Sequence, residues 1–173
     1  KCNQVARETG FGRLQFQTGA IGEWRSAGDL DVLVALHACD TATDDALYQG
    51  VSSNASLLVT APCCHKEIRP QLVAPAGMSE ILRHGILAER EAEILTDGIR
   101  ALLLEIRGYS TKVFEFISPE HTSKNLMLAA YRNPKPRDPV ALRESLRKVA
   151  GEYGIQRQAL AGLLREALAD NNE

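Results

Sequence analysis

Two short apolar runs, Val32 to Leu36 and Ser56 to Ala61, stand out from the mixed pattern around them and read as β-strands. The unbroken apolar character of the first suits a central parallel strand covered on both faces. Between them, Thr41 or Thr43 can cap a helix from about Asp44 to Val51, whose acidic first turn suits the helix dipole. A strand, helix, strand unit closes right-handedly with its strands parallel. Both tails, Leu36-His37-Ala38-Cys39-Asp40 and Pro62-Cys63-Cys64-His65, are therefore expected at one carboxyl edge of a sheet, where open α/β folds bind ligands.

Further patterns extend this picture. Leu14-Gln15-Phe16-Gln17 alternates with period two and predicts an earlier strand, preceded by a helix end from Asn3 to Thr9 that Gly10 caps. Ile81 to Ile106 carries apolar residues at helical spacing, with Gly85 and Gly98 as candidate breaks. Thr111 to Ile117 and Leu126 to Tyr131 predict two strands whose connection, Ser118 to Asn125, is too short for a crossover helix, so they should pair antiparallel. Pro134, Pro136 and Pro139 form a stiff linker before an amphipathic stretch, Val140 to Leu168, interrupted near Gly151 and Gly154. The division expected is a partial domain over 1–133 and a helical extension over 134–173.

Composition narrows the class. With 20 basic against 22 acidic side chains the chain is no polycation, which removes a globally basic nucleic-acid binder. No apolar run approaches the roughly 20 residues that span a bilayer, and no signal-peptide core opens the chain, so no membrane partner is expected. Four cysteines, two of them adjacent, read as reduced thiols of a cytoplasmic protein without a structural disulfide. The opening without methionine, inside a helix end, reads as a fragment of a longer chain.

The run Leu36-His37-Ala38-Cys39 with Ala42-Thr43-Asp44, followed by Pro62-Cys63-Cys64-His65-Lys66, resembles the class I S-adenosylmethionine-dependent methyltransferases. Within them it is similar to a bacterial group related to tRNA methylases with a CCH signature and to glutathione-transferase-linked methyltransferase-like domains. Glu115-Phe116-Ile117 through Glu120-His121-Thr122, Asn125 and Leu126 resembles the closing strands of the bacterial members. The resemblance spans roughly Lys1 to Asn133. It implies an α/β, Rossmann-like sheet, mostly parallel with an antiparallel closing hairpin, whose N-terminal strands are missing from this sequence, plus a C-terminal helical tail. It also implies S-adenosyl-L-methionine as cofactor, with Gly19, Ala20 and Ile21 in the turn against the adenine ring and Leu36, His37 and Ala38 at the strand end beneath the cofactor. Gly10-Phe11-Gly12 is followed by Gln15, so no G-x-G-x-x-G loop is present, and the chain alone is expected to bind the cofactor weakly or not at all. Asp40 stands where relatives often have glycine.

Methyl transfer from a sulfonium is an in-line displacement, so the protein must mainly align the acceptor and, where needed, receive a proton. His37, His65, Asp40 and Asp44 lie near the expected edge. His65 is the first candidate as base or acceptor-positioning group, against a plain loop-carbonyl hydrogen bond. Ala61-Pro62-Cys63 superficially resembles the nucleophile motif of RNA cytosine-5 methyltransferases, with Cys39 as a second thiol; small packable cysteines at a strand end are the blander account. His37, Cys39, Cys63, Cys64 and His65 could serve zinc, but adjacent cysteines seldom reach one ion, and no metal is expected. Lys124, Arg132, Lys135, Arg137, Arg143, Arg147 and Lys148 form either a solvated helix face or an RNA-contacting surface. His84 and His121 read as surface or loop residues, and Trp24 as packing beside the first strand. The acceptor is left open, with RNA one candidate. The competing reading is a catalytically inactive interaction or scaffold module.

Overall fold

A computed structural model describes residues 1–117 and 125–169. The strands β1 (Val32–Leu36) and β2 (Leu57–Ala61) pair parallel, Val32 opposite Leu57 and Leu36 opposite Ala61, with helix α2 (Thr41–Ser52) as the crossover. The strands β3 (Tyr109–Glu115) and β4 (Leu126–Arg132) pair antiparallel, and β4 inserts antiparallel beside β2. The sheet order is β1-β2-β4-β3, so β4 alone runs against the other three. The turn proposed around Glu120, His121 and Thr122 falls outside the described residues, as does Lys124.

Helix α1 (Cys2–Glu8) ends as its sequence suggests. The amide of Gly10, at φ +87°, donates to Arg7 and that of Phe11 to Ala6, the paired bonds of a left-handed C-terminal cap. The expected strand at 14–17 does not form. Phe16 is held by one side chain: its amide donates to Asn3 Oδ1 at 2.6 Å, and its carbonyl accepts from Asn3 Nδ2 at 2.9 Å. The alternation signalled extended backbone, but an amide side chain, not a neighbouring strand, satisfies it.

Gly85 does separate two helices, α3 (Ser79–Leu82) and α4 (Gly85–Ile106), whereas Gly98 lies inside α4 without breaking it. The carboxyl-terminal helices are α5 (Pro139–Glu152), capped by Asp138 accepting from the Val140 amide, and α6 (Ala159–Leu164), capped by Gln158. Leu142, Leu146, Ala150, Ile155, Leu160 and Leu164 share one core with Leu103 and Leu104 of α4 and Leu58 and Leu128 of the sheet. Residues 134–169 thus close the same core that the sheet begins. No helix among the described residues is long and apolar enough to cross a membrane.

Register sorts the sheet into two unlike faces. Leu33 pairs with Leu58, Leu58 with Ala130 and Thr60 with Leu128, and this side lies under α2 and α4. Gly50 of α2 comes so close that a Cβ there would sit 2.3 Å from Leu58 Cδ2. On the opposite side Val34 is 58% exposed and Leu36 56%, with Phe114 and Tyr131 also open. The expectation of a central strand covered on both faces is therefore corrected for β1. Among the described residues it is an edge strand with helices on one side only.

Candidate functional site

The carboxyl ends of β1 and β2 do emerge together. A cavity of about 590 Å³ opens at the end of β1, walled by the segment 17–24 on one side and by Ala46 and Gln49 of α2 on another. Gly19, Ala20, Ile21, Leu36, His37 and Ala38 all border it, as does Trp24. Its size is that of a small-molecule site. A short 3-10 turn, Ile21–Glu23, is fastened to α2 because Gln49 Nε2 donates to the Gly22 carbonyl at 3.1 Å. Gly19 has nothing within 4 Å of where a Cβ would stand, so the wall there is bare backbone.

The chain leaves β1 through two non-glycine residues in the left-handed region, His37 at φ +59° and Asp40 at φ +53°. Each such conformation costs on the order of 1–3 kcal/mol and persists only where surroundings enforce it. For Asp40 the enforcing groups are visible. Its Oδ1 accepts from the amides of Lys66 at 2.9 Å and Glu67 at 3.2 Å, and its carbonyl accepts from Arg100 Nη2 at 2.9 Å. Asp40 holds a backbone conformation that suits glycine, and its carboxylate ties the two strand-end loops together. The Thr43 hydroxyl donates to the Ala38 carbonyl and fixes the same corner.

Behind the loops lies a buried polar network that sequence reasoning did not find. His65, 5% exposed, bonds through Nε2 to Asp97 Oδ2 at 2.9 Å, and Asp97 Oδ1 accepts from Arg100 at 3.0 Å. Arg100 forks onto Asp44 through Nε at 2.9 Å and Nη2 at 2.6 Å, and Gln158 donates to Asp44 Oδ1 at 2.6 Å. Burial works against the Arg100 charge, but the Asp44 and Asp97 carboxylates outweigh it and push its pKa further up. Burial also pushes the Glu67 carboxyl up, although the Ala159 amide donates to it. The signal for Arg100 was present in the sequence. It lies four residues after Thr96 and three before Leu103, in the buried phase of α4, where a charged side chain requires a partner. A second cavity of about 450 Å³ lies on this side, bordered by Pro62, His65, Ile94, Asp97, Val113 and Leu126.

At the junction of the strand ends three thiols converge. Cys39 Sγ is 3.2 Å from Cys63 Sγ, which is 3.8 Å from Cys64 Sγ. The hydrogen bond with Cys39, then burial, then Cys64 push the Cys63 thiol up to about 12 from 9.0. That is the reverse of what a thiolate nucleophile needs. All four cysteines are free.

Residues 1–71 match a methyltransferase-domain family model. The matched stretch runs from α1 through β2 to the turn after His65, so it contains the first cavity's walls and all three converging thiols. The similarity supports a methyltransferase domain. No curated protein matches the chain, and no solved structure does.

The basic residues near the carboxyl terminus are largely engaged within the molecule. Arg132 lies 4.3 Å above the Tyr109 ring and donates to Asn54, Arg137 pairs with Glu105 at 2.6 Å, and Arg143 pairs with Glu166 at 2.8 Å.

Proposed function

We propose that the protein is part of a Rossmann-like class I methyltransferase domain that uses S-adenosyl-L-methionine, and that the 590 Å³ cavity receives the nucleoside end of that cofactor. One observation carries this reading. Six residues assigned from motif resemblance, in two stretches of sequence, border a single cavity. Bound there, the cofactor would supply an electrophilic methyl group on a sulfonium. The chain's own contribution is shape and orientation: Gly19 and Ala20 offer bare backbone to an adenine ring, and Trp24 offers an apolar wall.

The acceptor belongs in the second cavity, where His65 is fixed by Asp97 and is the positioning group for it. RNA is one class of acceptor consistent with the family resemblance. Asp40 and Cys63 serve the architecture of the strand ends in this reading. Four free thiols fit a cytoplasmic location.

The cavity runs along the unpaired edge of β1, and these residues hold no glycine-rich loop, so another segment of the domain is proposed to supply the rest of the site. Trp24, the single tryptophan, is a built-in reporter. Titration with S-adenosylhomocysteine should change its fluorescence saturably with a Kd of ~1 mM, a weak interaction of about 4 kcal/mol. Gly19→Phe, which projects a ring into open space without disturbing the fold, should abolish the response. No response, or an equal response in Gly19→Phe, sinks the cofactor assignment. Micromolar or tighter binding refutes the half-site. An inactive interaction module is the second reading, favoured by the open apolar sheet face, and would stand if Trp24 stays silent.

A further inference from the structure

Successive side chains on an extended strand point to opposite faces, so neighbouring cysteines ordinarily present their sulfurs apart. Past Pro62 the chain has left β2, and the sulfurs of Cys63 and Cys64 lie 3.8 Å apart on the same side. Cys39, arriving from β1, completes the group: the three Sγ atoms all lie within 4.8 Å of one another. Sulfurs sharing a tetrahedral zinc at about 2.3 Å each stand about 3.8 Å apart. The observed Cys39 to Cys63 distance of 3.2 Å needs only to open by about half an ångström to meet that spacing.

The surroundings select a soft ion. Asp40 Oδ1 is taken by the amides of residues 66 and 67 and His65 Nε2 by Asp97, and among the described residues no imidazole or carboxylate atom joins the three sulfurs within 4.8 Å. What remains pointing at the junction is sulfur, the donor preferred by zinc and other soft d10 cations. Access is open, since Cys39 is exposed and Cys63 and Cys64 are partly so. We propose that Cys39, Cys63 and Cys64 form a three-thiolate site for one zinc ion, with a fourth position open to solvent or to a soft donor of a bound molecule. Each thiol gives up its proton to solvent as it binds, and no electron is transferred. Three protein ligands with one open position is the pattern of zinc sites that act on a ligand, and it is independent of the methyl-transfer reading.

Cadmium is the probe, because thiolate-to-cadmium charge transfer absorbs in the ultraviolet where zinc is silent. The whole 173-residue chain, reduced and stripped by chelator, should take up one equivalent of Cd²⁺ with a saturable charge-transfer band, and a chain preloaded with one equivalent of Zn²⁺ should release it to Cd²⁺ with the same band. Cys39→Ser changes an exposed residue, so the fold survives as judged by circular dichroism. It should cut Cd²⁺ affinity at least tenfold and lower the band by about a third. Cys2→Ser, outside the cluster, should leave both unchanged. The assignment is overturned by no band at one equivalent, or by a band that Cys39→Ser leaves intact, which would mean the adjacent pair binds alone. An effect of Cys2→Ser equal to that of Cys39→Ser also overturns it.

Discussion

At the scale of single residues, the molecule concentrates cost and function at one corner. His37 and Asp40 adopt backbone conformations that side chains disfavour, and the residues enforcing that of Asp40 reach in from distant parts of the chain. Arg100 is the centre of that enforcement. It is 1% exposed and serves Asp44, Asp97 and the Asp40 carbonyl at once. Removing one member of a buried ionic set leaves the others charged and unpaired, which costs about 3–5 kcal/mol. Arg100→Ala should lower stability by that amount in urea titrations. A loss below ~1 kcal/mol would show that water reaches Asp44 and relieves it. Asp97 and Arg100 illustrate what a linear reading passes over. Their helix was legible from Ile81 to Ile106, but the partners His65 and Asp44 lie 32 and 56 residues away.

Among the elements, apolar period and turn chemistry agreed with the outcome wherever both were strong. The parallel pair of β1 and β2, the crossover α2, the antiparallel β3 and β4, and the break at Gly85 all formed. Gly154 shows why one glycine in the tail matters and another does not. At φ +69°, an added Cβ would stand 2.6 Å from Val73 Cγ2 and 3.0 Å from its Cβ, on a β-branched side chain with little freedom to retreat. The same junction is laced by Gln71, whose Oε1 accepts from the amides of Gln156 and Arg157. Gly154→Ala should therefore destabilise by about 1–3 kcal/mol. Gly162→Ala, in α6 with open space around it, should instead stabilise by about 0.5–1 kcal/mol. Denaturant midpoints of the two variants moving in opposite directions would bear this out.

For the whole molecule, the decisive property is one-sidedness. Leu58, Leu104, Leu128 and Leu146 are fully buried on the helical side, while Val32, Val34, Leu36, Phe114 and Tyr131 remain open on the other. An apolar face beside an unpaired edge is prone to association unless something covers it. The isolated chain should bind the dye ANS and self-associate with rising concentration. Val34→Lys, on the open face, should reduce both while changing stability by less than about 0.5 kcal/mol. If dye binding is unchanged, the exposed surface responsible lies elsewhere.

The sequence by itself determined most of the elements, though not the absence of a strand at 14–17 or the continuity of α4 through Gly98, together with the parallel and antiparallel senses of pairing and the meeting of two strand tails at one edge. These follow from local periodicity and from connection length, which a chain carries in neighbouring residues. Tertiary structure alone decided that Asn3 replaces a strand partner for Phe16, that β1 lies at an edge, that Arg100 meets Asp44, and that Cys39 closes on Cys63. Each of those outcomes joins groups far apart in sequence, and no hydrophobic period records which distant donor will satisfy a buried acceptor.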